Sequence, residues 1–135
     1  MPSLTQTQAG GNSGRFITEA LLKTGKHTVT AISRADSTSK LPDGVVTRKV
    51  DYSKPETLVD ALKGQDALVV TLSGFTPQET VDTIVNAAGE ADVPWILPNE
   101  WSPDTANEDL VRDVLVFKPK GRRHRLGICT AVDNR

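Results

Sequence analysis

An α/β fold, a parallel sheet with helices on both faces, is the class that this sequence predicts. Three observations carry it. Runs rich in β-branched and aliphatic residues alternate with segments of helical apolar spacing, the pattern of right-handed βαβ units. Ala67-Leu68-Val69-Val70-Thr71-Leu72 is apolar without alternation, as in a strand covered on both faces and placed centrally. Gly10-Gly11-Asn12-Ser13-Gly14 runs straight into the helical pattern Phe16-Ile17-Ala20-Leu21, with Arg34 standing 20 positions after Gly14. A helix that opens on such a turn leaves its first N–H groups free to hold a phosphate, and glycines let the backbone approach a pyrophosphate closely.

A buried hydrophobic strand ending in a further glycine should precede that turn, but the chain offers Ser3-Leu4-Thr5-Gln6-Thr7-Gln8. Gln6 and Gln8 would enter a layer where an unpaired polar group costs roughly 1–3 kcal/mol, so the first strand is expected to be weak or missing. Residues 14–24 read as a helix with Phe16/Ala20 and Ile17/Leu21 on one face, stopping at Gly25, where a left-handed cap costs least. Thr28–Ser33 and Val45–Val50 read as strands, with the turn residues Leu41-Pro42-Asp43-Gly44 ahead of the second. A second helix is expected from Ser53 as cap with Glu56 three residues later, then Leu58, Val59 and Leu62, up to Gly64. After the apolar strand, Thr76 as cap and Pro77 at the first helical position start a third helix, with Val81, Ile84, Val85 and Ala88 as its buried stripe. Pro94–Pro98 fits a short strand, and residues 105–117 one more helix with Thr105 and Glu108 as a capping box.

The length of 135 residues suits one domain. Its 37% hydrophobic and 4% aromatic content predicts an aliphatic and thin core, short of the regime of disorder. The net charge of -1 exerts no global pull toward nucleic acid or anionic membrane, but Lys118, Lys120, Arg122, Arg123 and Arg125 form a basic run. Residues 118–135 are expected to be a loose tail; the absence of interleaved aromatics argues against single-strand binding, and a role as an import signal stays open. One cysteine excludes an internal disulfide, and Cys129, His27 and His124 build no metal pattern. With no secretory profile and no long apolar run, the expected location is cytoplasmic, the nucleus being the alternative, without membrane attachment.

The ordered set of Gly10 to Leu22, Thr30-Ala31-Ile32-Ser33-Arg34, Val50-Asp51-Tyr52 with Pro55-Glu56-Thr57-Leu58, and Trp95-Ile96-Leu97-Pro98-Asn99-Glu100-Trp101 resembles the NmrA-like and isoflavone-reductase-like branch of the extended short-chain dehydrogenases, especially its fungal members. The resemblance covers about residues 9–117. It implies a Rossmann-type NAD(P)-binding domain over residues 1–117, a smaller substrate domain beyond it, and NADPH-dependent reduction of a carbonyl or enone. In NmrA-like regulators the implied activity is nucleotide sensing without catalysis, which makes a redox-sensing interaction module the alternative. The family's turn is Gly-x-x-Gly-x-x-Gly; Gln8 takes the first place here, and Gly11 and Gly14 the others. Relatives continue beyond this chain, so the resemblance implies truncation at both ends, most of the substrate domain absent, and a domain weak or inactive alone.

Gly10, Gly11, Asn12, Ser13 and Gly14 are the candidate cofactor turn. Arg34 ends the second strand, where an acid would bond the ribose hydroxyls of NAD and an Arg pairs with the 2′-phosphate of NADP; the other reading is a solvated Arg. NADP(H) is therefore expected over NAD. Thr71 and Ser73 stand at the strand edge where ligands of open α/β sheets lie, or belong to an ordinary strand-to-helix loop. Asn99 and Glu100 match the family's segment on the substrate side, or form a rigid loop with Trp95 and Trp101 packed beside it. Isoflavone-reductase-like enzymes use a Lys after this loop, and Lys120 or Lys118 falls in that region without the matching surroundings, so the catalytic residue is unassigned. Tyr52 has no Tyr-x-x-x-Lys context and reads as an adenine-side or core residue.

Overall fold

The computed structural model describes residues 1–99 and 107–113. In chain order the elements are β1 (Ser3–Thr7), α1 (Asn12–Lys23), β2 (Thr28–Arg34), β3 (Val46–Val50), α2 (Pro55–Leu62), β4 (Ala67–Val69), α3 (Gln78–Glu90), β5 (Trp95–Leu97) and α4 (Glu108–Asp113). The five strands form one parallel sheet in the order β3-β2-β1-β4-β5. The chain leaves β1 toward β2 and β3 and later returns past β1 to β4, so right-handed crossovers put α1 on one face and α2 and α3 on the other. The contacts agree: α1 packs on β1 and β2, and α2 packs on α3 and β3. Ile32, Val50, Leu58, Ala61, Leu62, Leu68, Val70, Ile84, Ala87, Ala88 and Val93 make up the core, which among the described residues holds no fully buried aromatic.

The expectation of a weak or missing first strand is corrected. β1 is present and occupies the middle of the sheet, paired with β2 from Ser3↔Thr28 to Thr7↔Ile32 and with β4 from Leu4↔Ala67 to Gln6↔Val69. Thr5, Gln6 and Thr7 are fully buried, and each is satisfied. Thr5 Oγ1 donates to Gln65 Oε1 at 2.7 Å. Gln6 Nε2 donates to the Gly14 carbonyl at 2.8 Å and, more weakly, to Thr71 Oγ1 at 3.3 Å, while its Oε1 accepts from Thr18 Oγ1 at 2.8 Å. Thr7 receives Thr71 N–H on its Oγ1 at 2.9 Å and Thr71 Oγ1–H on its carbonyl at 2.5 Å. The penalty expected for Gln6 applies to an unpaired polar group, and three partners, two on α1 and one just past β4, remove that condition.

Several boundaries shift for local reasons. α1 starts at Asn12, ahead of the expected Gly14, and Gly25 follows it at φ +62, in the left-handed conformation expected there. Ser53 does not cap α2: its hydroxyl and N–H both turn to Asp51 Oδ1, at 2.6 and 2.9 Å, which holds the Asp51 carboxyl below its ordinary pKa. Lys54 takes the cap position and Pro55 starts the helix, with Thr57 Oγ1 bonding the Asp51 and Lys54 carbonyls instead. Pro77 is the residue before α3, and Gln78 is the first helical one, without a side-chain cap from Thr76. β4 ends at Val69, although burial continues through Val70 and Thr71, where Val70 N–H still meets the Leu97 carbonyl at 2.9 Å. Of the helix expected over 105–117, α4 covers Glu108–Asp113; the Thr105 cap and the expected tail over 118–135 lie outside the described residues.

Candidate functional site

At the carboxyl edge of the sheet, where the chain runs from β1 to one side and β4 stands on the other, a cavity of about 620 Å³ opens. In open α/β sheets this switch point is where ligands bind, and the volume lies within the range of roughly 300–1,000 Å³ of small-molecule sites. Its walls come from the turn after β1 (Gln8 to Gly11), the end of β2 (Ile32, Ser33, Arg34), the loop beyond it (Ser37, Ser39, Leu41), Tyr52 after β3, and Leu72, Thr76, Pro77 and Thr80 around the start of α3.

The turn is shaped by close backbone approach. Gly11 N–H donates to the Gln8 carbonyl at 2.9 Å, and Gly11 is extended (φ -76, ψ 172) as the residue before α1. A Cβ placed on Gly14 would collide with the Gln8 carbonyl oxygen and lie 3.0 Å from Thr71 Oγ1 and 3.1 Å from Gln6 Nε2, so helix and strand meet there only because the side chain is absent. At Gly10 the neighbour is the loop after β2: a Cβ would stand 3.1 Å from the Lys40 carbonyl and 3.2 Å from Ser39 Cβ. Gln8, in the place of the family's first glycine, has φ 45, a left-handed conformation that costs a residue with a side chain about 1–2 kcal/mol. Gln8 thus stands in a conformation that glycine adopts without steric cost.

The first turn of α1 carries no acid and no side-chain cap, so the positive end of its dipole is not neutralised from within the helix. Arg34 borders the same cavity with a side chain 69% exposed, its Nε 3.6 Å from Asp36 Oδ1 in a loose surface pair. Half-buried Tyr52 lines the wall; burial raises its phenol above the ordinary pKa, and the Arg34 charge pulls against that shift. Ser33 Oγ is buried and has no hydrogen-bond partner among the described residues. A glycine cradle whose space a Cβ would fill, an uncapped helix start, a cation and an orphaned hydroxyl suit a phosphate-bearing nucleotide.

Gly10, Gly11 and Arg34, singled out in the sequence, thus share one cavity. Asn12, Ser13 and Gly14 form the first turn of α1 beside it. Thr71 lies beneath the turn, its hydroxyl committed to Thr7. Ser73 is on the exposed loop after β4, where its Oγ accepts Phe75 N–H at 3.3 Å. Buried Asn99 braces the strand ends, its Oδ1 accepting Leu72 N–H at 3.0 Å. Glu100 and Lys120 lie outside the described residues. Sequence reasoning missed Gln6 and Thr18 as supports of the turn, and Ser33, Ser37, Ser39, Leu41 and Thr80 as wall residues. Thr18 had a signal, since it stands four residues after Gly14 on the same helix face. The loop residues had none. Among the described residues no helix is long and apolar enough to cross a membrane.

Residues 9–98 match a family described as NAD(P)H-binding. Over 100 residues the chain is 39% identical to oxidoreductase aprR of Aspergillus flavus, a match covering 73% of this chain and 33% of that protein. An isoflavone reductase structure superimposes with a TM-score of 0.75 at 26% identity, over 92% of this chain and 44% of that one. An NADPH-dependent quinone oxidoreductase from Escherichia coli, solved with NADPH, matches at a TM-score of 0.57 and 27% identity, over 69% of this chain and 35% of the other. The chain spans about a third of the length of the curated relative and under half of these structures.

Proposed function

The chain belongs to the NAD(P)H-binding family, in its NmrA-like and isoflavone-reductase-like branch, and from that premise we propose that it holds NADP(H) in preference to NAD(H) for reduction of a carbonyl or enone. It is an NAD(P)H-binding domain of the oxidoreductase-like kind. The observation that carries the preference is that Arg34 and the Gly10–Gly11 turn border one cavity beside an acid-free helix start.

In this reading the α1 N-terminus and the turn from Gly10 to Gly14 hold the pyrophosphate, because N–H groups and the helix dipole favour an anion there. Arg34 pairs with the 2′-phosphate, its guanidinium fork matching the phosphate oxygens. Tyr52 lies along the adenine side. Ser73, Asn99 and Glu100 belong to the nicotinamide and substrate side, with Asn99 acting through the backbone it braces. NADPH when bound supplies the hydride, and the protein's part is to position it. Residues 1–117 form the cofactor domain and 118–135 a basic tail; the substrate and the general acid, for which Lys120 is a candidate, depend on more of the protein than this edge of the sheet.

Titration calorimetry of the chain with NADPH and NADH tests the reading. NADPH should bind more tightly, and Arg34→Ala should remove about 1.5–3 kcal/mol of NADPH affinity while leaving NADH nearly untouched. Equal affinities in the unsubstituted chain would sink the preference.

A further inference from the structure

Resting on that cofactor reading, we propose that Ser37 is a phosphorylation site, and that its phosphate occupies the anion position beside Arg34 and so lowers affinity for the 2′-phosphorylated dinucleotide. Arg34 and Ser37 are joined in a turn closed by Ser37 N–H to the Arg34 carbonyl at 3.0 Å, and both border the cavity. The loop is accessible: Arg34, Ala35, Asp36, Thr38, Ser39 and Lys40 are exposed and Ser37 is half-buried. Arg34-Ala35-Asp36-Ser37 is the chain's sole Arg-x-x-Ser, the spacing that places a cation where a basophilic protein kinase reads it. The corresponding Arg-x-x-Thr, Arg15 to Thr18, ends on a fully buried hydroxyl.

The Ser37 hydroxyl is not committed to the fold. Its contacts are long, 3.3 Å to Ser39 Oγ and 3.4 Å from Ser39 N–H. Lys49 brings a second cation to the loop, its Nζ donating to the Ser37 carbonyl at 2.7 Å and the Arg34 carbonyl at 3.4 Å. Asp36 is the opposing charge, and its hold on Arg34 is one exposed contact at 3.6 Å through Nε. Phosphoserine carries about -1.5 to -2 charges and three strong acceptor oxygens, so it outcompetes a single exposed carboxylate for the guanidinium.

The chemistry is phosphoryl transfer from ATP by a protein kinase. The bond between the γ-phosphorus and the bridging oxygen of ADP breaks, the bond from Ser37 Oγ to that phosphorus forms, the hydroxyl proton passes to the kinase's base, and ADP leaves. The new dianion both engages Arg34 and repels a 2′-phosphate. NADH carries no such phosphate and escapes most of the effect.

The full chain with phosphoserine encoded at position 37 tests this, by calorimetry with NADPH and NADH and by ³¹P NMR titration of the phosphate. NADPH affinity should fall about tenfold or more, and NADH affinity by less than about threefold. Arg34 and Lys49, against Asp36, should hold the second phosphate pKa below its ordinary value of about 6, and Arg34→Ala should raise it again. Unchanged NADPH affinity, an equal loss for both dinucleotides, or a titration indifferent to Arg34→Ala would overturn the proposal. So would mass-spectrometric mapping in which an Arg-directed kinase with ATP modifies other hydroxyls of the folded chain and leaves Ser37 untouched. If the unphosphorylated chain binds both dinucleotides equally, the NADP preference fails instead, and the ³¹P arm alone decides whether the phosphate engages Arg34.

Discussion

β1 and β4 lie side by side in the middle of the sheet and are built from opposite materials. β4 buries Ala67, Leu68 and Val69; β1 buries Thr5, Gln6 and Thr7 as completely. The aliphatic strand is held by area removed from water, which has no direction, and the polar one by hydrogen bonds that require particular partners in particular places. Those partners are Thr18 on α1, the Gly14 carbonyl, Gln65 before β4 and Thr71 after it. A strand of this kind does more than complete a sheet. It ties the start of α1 and the exit of β4 to one point beneath the glycine turn.

The sharpest way to break that point is Gly14→Val, whose Cβ runs into the Gln8 carbonyl oxygen and crowds Gln6 and Thr71. Urea melts should show a loss of about 3 kcal/mol or more, together with loss of dinucleotide binding, because the obstacle is backbone. A variant with wild-type stability would mean that the helix does not sit as close to β1 as described.

Next in size comes the contrast between the two strands. Leu68→Ala should cost about 2–5 kcal/mol, as a fully buried leucine leaves a cavity. Gln6→Leu should cost only about 1 kcal/mol: Thr18 Oγ1 keeps the Gly14 carbonyl at 2.8 Å and Thr71 Oγ1 keeps the Thr7 carbonyl, so no buried partner is orphaned. If denaturant midpoints ranked these two the other way, the network would be strongly cooperative and more than its separate bonds.

A smaller effect is a gain. Gln8→Gly relieves the left-handed conformation at φ 45 and should stabilise the chain by about 1 kcal/mol, raising the melting temperature by several degrees. No shift in calorimetric melting would show that Gln8 is relaxed where it stands. The smallest concerns Tyr52. Burial raises its pKa in the folded protein, so its contribution to stability is complete below the unfolded value of about 10 and is lost as pH rises through the higher folded value. Stability measured across that window should fall less in Tyr52→Phe than in the parent chain.

Much of the architecture was legible because its signals are local. Apolar spacing in residues 81–88, the break at Gly25 and the unalternating run from Ala67 each report the environment of their own segment. On α1 the apolar spacing predicted the helix but not its face: Phe16 and Ala20 are exposed, and Gly14 and Thr18 are buried. Capping was read less well. Ser53 and Thr76 are good cap residues by type, but Ser53 found a carboxylate two residues back and Pro77 took the place before α3. Of the site, Gly10, Gly11 and Arg34 stood out by spacing, whereas Ser37, Ser39 and Leu41 join the cavity through the path of a loop that carries no periodicity.

By itself the sequence determined the parallel α/β class, the helix that opens on the glycine turn, and the choice of Arg over an acid at the end of β2. The tertiary structure decided whether Ser3 to Thr7 would be a strand at all. The physical reason is that hydrophobic burial can be judged from a residue alone, while the cost of burying an amide depends on what stands opposite it. Gln6 reads as a defect in one dimension. In three, Gly14 and Thr18 from α1 and Thr71 from beyond β4 meet it, and the same residue becomes the tie between the sheet and its glycine turn.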